Sequence, residues 1–241
     1  MRRAVTFVVI LAVVIGGYTL IHKNTRPPAP PVADSQSALN AAAVKAGCPS
    51  NPATVANHDV FSKPPPMTID TSKTYTAVIK TDVGTMDVAL ATKNTPTEVN
   101  SIVFQADKHF YNCDVFPRVI PNFMDQTGDP SQTNSGSFGY TVQGSVPATA
   151  PVASSQYPLG SLACAKTPSA PNGTCSDQFF IITGSNGQSL PPQYSLFGQV
   201  TSGLLIAQKI NADGDPNANS DQTGTKLKVT HRMLSVTIKT S

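Results

Sequence analysis

The sequence predicts a mainly β fold, an antiparallel barrel or sandwich plugged by two helices, set behind an N-terminal membrane helix and a proline-rich stalk. Three observations carry that reading. The 241 residues include 21 Pro, 16 Gly, no Trp and a single Glu, Glu98, while Thr, Val and Ser abound. Few Glu and Lys with many Thr, Val, Ser and Gly suit a sheet better than a helical bundle. Beyond Tyr75 the chain is a series of short apolar runs separated by turn residues. Residues 4–21 are an uncharged apolar stretch of 18 residues.

Composition also limits function. Lys and Arg number 17 against 14 Asp and Glu, and charged residues are 13% of the chain. That charge is too low for a disordered polyelectrolyte and too little clustered for a nucleic-acid binder. Arg2, Arg3, Lys23 and Arg26 flank the apolar stretch, which leaves 13 basic and 14 acidic side chains in residues 27–241. Four Cys are too sparse for a disulfide-dense mini-scaffold.

Residues 4–21 read AVTFVVILAVVIGGYTLI. As a helix they reach about 27 Å, enough to cross a bilayer core. No small-x-small cleavage site ends the run. Residues 1–21 are therefore read as an uncleaved signal anchor, with a cleaved signal peptide and secretion as the alternative. Residues 22–72 are read as a stalk. Nine of its residues between Pro27 and Pro66 are proline, and Pro27-Pro28-Ala29-Pro30-Pro31 favours stiff polyproline II. Within it, Ser35–Ala46 predicts a short Ala-rich helix stopped by Gly47, marginal alone. The globular domain is placed at residues 73–241.

In that domain TYTAVIKT and TMDVALA, joined at Asp82-Val83-Gly84, predict a hairpin. Thr95-Pro96-Thr97-Glu98 has Thr at the cap, Pro at the first helical position and Glu three residues after the cap, which predicts a capping box. Val99, Ile102, Val103 and Ala106 supply the helix's apolar face. CDVFPRVI, NFMDQTGD, SLACA, DQFFIITG and SLFGQV read as short strands, LLIAQKI as a second helix, and MLSVTIKT as a closing strand.

The run Phe116-Pro117-Arg118-Val119-Ile120-Pro121-Asn122-Phe123-Met124-Asp125-Gln126-Thr127-Gly128-Asp129 resembles the signature of the cyclophilin peptidyl-prolyl isomerases, F-H-R-V-I-P-G-F-M-I-Q-G-G-D. Ser176-Asp177-Gln178-Phe179-Phe180-Ile181-Ile182-Thr183-Gly184 is similar to the family's S-Q-F-F-I-T-T-G block, and Tyr194-Ser195-Leu196-Phe197-Gly198-Gln199-Val200 to its H-x-V-F-G-x-V block. The three blocks occur in the family's order across about residues 73–240. The resemblance implies an eight-stranded antiparallel β-barrel capped by two helices, with its site on the outer face.

Rotation about an X-Pro bond faces a barrier of roughly 18–20 kcal/mol, because the amide nitrogen lone pair is delocalised. A fixed donor that stabilises the lone pair as the nitrogen pyramidalises eases it. A guanidinium is always protonated and offers rigid donors. Arg118 matches the family's catalytic arginine; an ion pair with Asp125 or Asp129 is the alternative role for it. Phe123, Met124, Phe180 and Leu190 match the family's proline pocket, and Tyr194 stands at its histidine position. Gln126 and Gln178 match polar positions that hold substrate backbone. Ala163 and Ala165, flanking Cys164, match a stretch that meets the peptide through its backbone. Phe116 and Phe179 are expected in the core, on the other face of their strands.

The chain departs from the family at Pro117, Thr127 and Ser189, where His, Gly and Trp are usual. Tyr194 can still stack on a proline ring. The resemblance implies no cofactor, and the spacing of the four His suggests no metal site. Asn172-Gly173-Thr174 reads as a turn between Cys164 and Cys175, with a glycosylation acceptor as the alternative. Cys164 and Cys175 bracket a loop at the peptide side and are expected to pair. Cys48 and Cys113 remain, and a bridge between them would pin the stalk to the domain; two unpaired buried thiols are the alternative. Paired cysteines suit an oxidising exterior and place the domain on the extracytoplasmic side.

Two functions follow. One is a membrane-tethered isomerase acting on proline-containing segments of exported or envelope proteins, with the membrane as its other partner and no nucleic acid. The other is a low-turnover module of the same fold that holds proline segments as a chaperone or scaffold.

Overall fold

The computed structural model describes residues 35–54, 56–57, 59–129, 131–132, 136–137, 139–147, 157–215 and 227–241. The predicted membrane helix at 4–21 and the Pro27–Pro31 run lie outside the described residues. No described helix is long and apolar enough to cross a membrane. Asp34–Ser241 forms one compact unit.

Nine strands build one antiparallel sheet. They are β1 (Tyr75–Thr81), β2 (Gly84–Leu90), β3 (Asp114–Val115), β4 (Arg118–Ile120), β5 (Met124–Thr127), β7 (Ser161–Cys164), β9 (Phe179–Ile182), β10 (Leu196–Ser202) and β11 (Arg232–Thr240). Their order is β3-β11-β1-β2-β10-β7-β9-β5-β4, and β6 (Val142–Gln143) pairs with β8 (Thr174–Cys175) in a separate ribbon. The two edge strands are consecutive in the chain, joined by Phe116-Pro117, so the sheet rolls until its edges meet. Proline has no N–H to give a ladder. The run predicted as one strand therefore splits at Pro117: Val115 pairs with Arg232 of β11, and Arg118 with Gln126 of β5. This corrects the expected eight strands to nine in the sheet.

Strands β4, β5, β7 and β9 are covered on both faces, and their two-residue alternation sorts side chains into two apolar clusters. Val119, Leu162, Phe179 and Ile181 enter the main core with Phe116, Phe197 and Ile210. Ile120, Met124, Ala163, Phe180 and Ile182 form a second cluster outside the roll. Phe116 and Phe179 are core residues, as predicted.

The two predicted helices are α2 (Pro96–Asp107), packed on β6 and β11, and α4 (Leu204–Ala212), packed on β2, β4 and β5. A one-turn helix, α3 (Ser185–Gln188), and α1 (Gln36–Lys45) complete the four described. Val99, Ile102, Val103 and Ala106 of α2 are buried as expected. The capping box does not form. Thr95 Oγ1 donates to the Ala91 carbonyl at 3.2 Å, and the buried Glu98 carboxylate accepts from the Ser145 amide at 3.0 Å and from the Ser195 hydroxyl. Tertiary donors outcompete the local cap.

From residue 35 onward, the segment read as a stalk is packed on the domain. Ser35 Oγ caps α1 by accepting from the Ala38 amide at 3.2 Å. The helix buries Leu39 and Ala43, and Ala43 packs with Cys48, Cys113 and Leu234. Gln36 exchanges two hydrogen bonds with the Thr230 backbone, at 3.1 and 2.6 Å. The fully buried Arg232 guanidinium donates to Asn40 Oδ1 at 2.9 Å and to the Pro49 carbonyl. Further on, Asn100 of α2 donates to the Pro66 carbonyl at 3.0 Å and accepts from the Thr68 amide at 2.9 Å. An Ala-rich helix lacks the apolar area to stand alone, so it docks where a buried arginine needs acceptors. Both expected disulfides form, Cys48–Cys113 with Cα atoms 5.4 Å apart and Cys164–Cys175 at 5.1 Å.

His231 lies buried between two carboxylates, with Nδ1 3.2 Å from Asp82 and Nε2 3.0 Å from Asp213. Burial opposes its charge, but the two acids outweigh it and raise its pKa. Asp177 has no partner cation among the described residues. It is 1% exposed, and its Oδ1 accepts from the Ser176 hydroxyl. Its other oxygen is buried without a hydrogen bond among the described residues. Burial, helped by the nearby Asp129 charge, pushes its carboxyl up to about 6.

Two expectations follow from this packing. Cys48→Ser opens a loop of 65 residues. The chain-entropy model puts its loss near 4 kcal/mol, read as a lower melting temperature under non-reducing conditions. Asp177 holds its proton in the folded state between its ordinary 3.8 and about 6, while the unfolded chain has already lost it. Stability is therefore lost as pH rises through that window. Asp177→Asn is expected to melt higher than the parent at pH 7.5, by up to about 3 kcal/mol. The two should coincide near pH 4. Parallel denaturant curves at the two pH values decide it.

Candidate active site

The register lines up one row of side chains across five strands: Arg118 on β4, Gln126 on β5, Phe180 on β9, Ala163 on β7 and Leu196 on β10. A second row, Ile120, Met124 and Ile182, runs beside it. Residues paired across strands share a face, so this patch is one surface built by alternation alone. Leu190, Tyr194 and Ala165 pack against it from the flanking loops.

A groove of about 530 Å³ opens over this patch. It is lined by Arg118, Phe123, Met124, Gln126, Ala165, Gln178, Phe180, Leu190 and Tyr194, nine of the ten residues the sequence assigned to catalysis and substrate binding. The tenth, Ala163, does not reach it. Its side chain is fully buried beneath the groove, and its backbone lies in a strand paired on both sides, with β9 and with β10. The expected backbone contact with a peptide at Ala163 is thereby corrected. At Ala165 the amide donates to the Gln178 carbonyl at 2.8 Å, tying this wall to β9.

One end of the groove is polar and ordered. Arg118 Nη1 donates to Gln126 Oε1 at 2.9 Å and lies 3.8 Å from Met124 Sδ. Gln126 Nε2 donates to Gln178 Oε1 at 2.8 Å, and Gln178 Nε2 donates to the Gly136 carbonyl at 3.0 Å. Asp125, one of the two carboxylates named as alternative partners for Arg118, accepts from Asn211 at 2.7 Å, and Asp129, the other, accepts from the Ser131 amide at 2.7 Å and the Gly136 amide at 3.1 Å. The other end is apolar. The Phe180 and Tyr194 rings meet edge to face with centroids 5.2 Å apart, beside Phe123, Met124 and Leu190. No described cluster of His, Cys, Asp or Glu is suited to a metal ion.

Three supports escaped the sequence reading. Asn211 of α4 donates to the Ile120 carbonyl at 2.9 Å and accepts from the Asn122 amide at 3.0 Å, bracing the turn that carries Phe123. Asn122 holds a φ of 58°, where the family motif has Gly, a conformation Asn tolerates better than most residues. An asparagine four residues after Ala207, on an otherwise apolar helix face, was the available signal. Tyr157 is the second support: its hydroxyl donates to the Tyr194 carbonyl and accepts from the Tyr194 amide, both at 2.9 Å. The third is the stretch Lys166–Ala170, which forms part of the groove wall within the loop closed by Cys164–Cys175. Ser189, where the family has Trp, is exposed and donates to the Ser185 carbonyl at 3.3 Å.

Residues 76–237 match the family described as cyclophilin type peptidyl-prolyl cis-trans isomerase/CLD. A peptidyl-prolyl cis-trans isomerase-like 1 of Emericella nidulans is 33% identical over 130 residues, 54% of this chain and 77% of that protein. A probable peptidyl-prolyl cis-trans isomerase B of Mycobacterium tuberculosis is 31% identical over 166 residues, 64% of this chain and 52% of that protein. A Cryptosporidium parvum cyclophilin, crystallised in the presence of the dipeptide Ala-Pro, superposes with a TM-score of 0.53 at 22% identity. That superposition covers 69% of this chain and 99% of that one, and it supports the fold. On the sequence match over residues 76–237 and its relatives, the chain belongs to the cyclophilin family and is a peptidyl-prolyl cis-trans isomerase.

Proposed function

We propose that Arg118 is the catalytic group and that the pocket of Phe123, Met124, Phe180, Leu190 and Tyr194 seats the proline ring of an X-Pro segment. The observation that carries this is the guanidinium bonded to Gln126 at 2.9 Å, beside the apolar pocket. Isomerisation makes and breaks no covalent bond, so the enzyme needs only to hold the two ends of the amide and stabilise the twisted state. The apolar pocket fixes the ring. Gln126 and Gln178 offer hydrogen bonds to the peptide backbone on either side of it. The Arg118 guanidinium donates to the amide nitrogen as its lone pair leaves conjugation. This interaction is strongest at the twisted geometry, and such preorganised donors lower the barrier without reorganising.

The proposed setting is outside the cytoplasmic membrane. Residues 1–21 tether the protein there, and X-Pro segments of exported or envelope proteins are its substrates; secretion after cleavage is the variant of this reading. Two features support it: the uncharged run at 4–21, preceded by Arg2 and Arg3, and two disulfides with no free cysteine among the described residues. Disulfides persist in oxidising compartments. Non-reducing peptide mapping of protein purified from the cell envelope is expected to recover the 48–113 and 164–175 bridges. Four free thiols would overturn this placement.

Arg118→Ala is expected to lower kcat for a short X-Pro peptide by about 10²-fold, the usual loss for one preorganised donor. Its melting temperature should stay close to that of the parent. Phe123→Ala should behave differently, raising KM and costing about 3 kcal/mol of stability, because it empties part of a packed cluster. NMR exchange spectroscopy measures both rates. An Arg118→Ala protein with undiminished exchange would refute the mechanism.

A further inference from the structure

The loop closed by Cys164–Cys175 forms one wall of the groove and carries a cation there, Lys166. Its ammonium donates to the Ala170 carbonyl at 3.1 Å and the Thr167 carbonyl at 3.4 Å. An ammonium has three donors, and these acceptors of its own loop take two. It also stands 5.7 Å from the centroid of the Tyr194 ring, which meets Phe180 at 5.2 Å. The cation is thus held one ring away from the apolar pocket. Among the described residues lining the groove, the charged side chains are Arg118, Lys166 and Asp177. Asp177 is 1% exposed, so no described lining residue offers an accessible carboxylate to compete with a bound peptide for Lys166.

We propose that Lys166 is a specificity-determining residue, and that the groove favours X-Pro segments carrying an Asp or Glu side chain within two residues of the proline. The inference rests on the proline seat proposed above. The reach is adequate: adjacent Cα atoms are about 3.8 Å apart, so a carboxylate one or two residues from a ring packed on Tyr194 spans the gap to Nζ. The two loop carbonyls hold the amine in place, which lessens the ordering cost that weakens most surface ion pairs. The disulfide holds the loop. At a solvent-facing groove the preference is modest and sensitive to salt.

The test compares end-blocked peptides that differ only in Glu against Gln, placed either just before or just after the proline, with the full-length protein at low ionic strength. The Glu peptide is expected to show kcat/KM about 2- to 5-fold higher in at least one of the two placements, the size of a favourable exposed ion pair. The gain should lie in KM. Lys166→Arg is expected to keep the preference and Lys166→Glu to invert it. Should a variant fail to fold, the parent protein decides alone: its Glu preference must fall to unity in about 1 M salt, where the Debye length is about 3 Å. Equal turnover of Glu and Gln peptides at low salt overturns the role of Lys166 and leaves the proline seat standing. A preference that persists in Lys166→Glu or in high salt does the same. No turnover of any peptide overturns both.

Discussion

Gln126 accepts from Arg118 and donates to Gln178, and the polar end of the groove stands on that pair of bonds. An arginine left free would sample many rotamers and spread its charge through solvent. Here the guanidinium is bonded to an amide that shares its row of the sheet. Gln178 passes the restraint on to the backbone at Gly136, so the chain of amides ends on a carbonyl. Hydrogen bonds that involve a charged group are shorter and stronger than neutral ones, which favours one rotamer.

That row exists because the sheet is apolar on both faces where the site lies. Val119, Leu162, Phe179 and Ile181 enter the main core, and their neighbours Ile120, Ala163, Phe180 and Ile182, with Met124, form the second cluster. A slip of one residue would send Phe180 inward and Phe179 outward, exchanging pocket for core. Pro117 fixes the starting point of the row. Its missing N–H ends the pairing with β11 and hands the chain to β5 one residue before Arg118. At the end of the same motif Gly128 holds a φ of 90°, where a Cβ would strike the Asp177 carbonyl, so glycine is required.

The segment that packs on the far side of β11 shows how a weak helix becomes part of a domain. Arg232 is buried and needs acceptors; Asn40 and the Pro49 carbonyl supply them from a helix with little core of its own. The bridge from Cys48 to Cys113 then closes the arrangement covalently. Cys113 ends the stretch that leads into β3, so the bridge anchors the strand just before Phe116-Pro117.

The short alternating runs and three ordered motifs led to the mainly β fold class and both long helices, and the family resemblance of those motifs named ten site residues, nine of which line the groove. The runs and helix faces are local properties: period two along a strand and an apolar stripe at helical spacing. The tertiary structure decided what depends on partners far away in sequence. It turned Glu98 from a helix cap into a buried acceptor for Ser145 and Ser195, because those donors are fixed by other strands. It withdrew Ala163 beneath the groove, since a strand paired on both sides has no backbone to offer. It brought Asn211 under the Phe123 turn and Lys166 against Tyr194. It also drew residues 35–72 from a stalk onto the domain, since the need of a buried arginine for acceptors can be read only once the chain is folded.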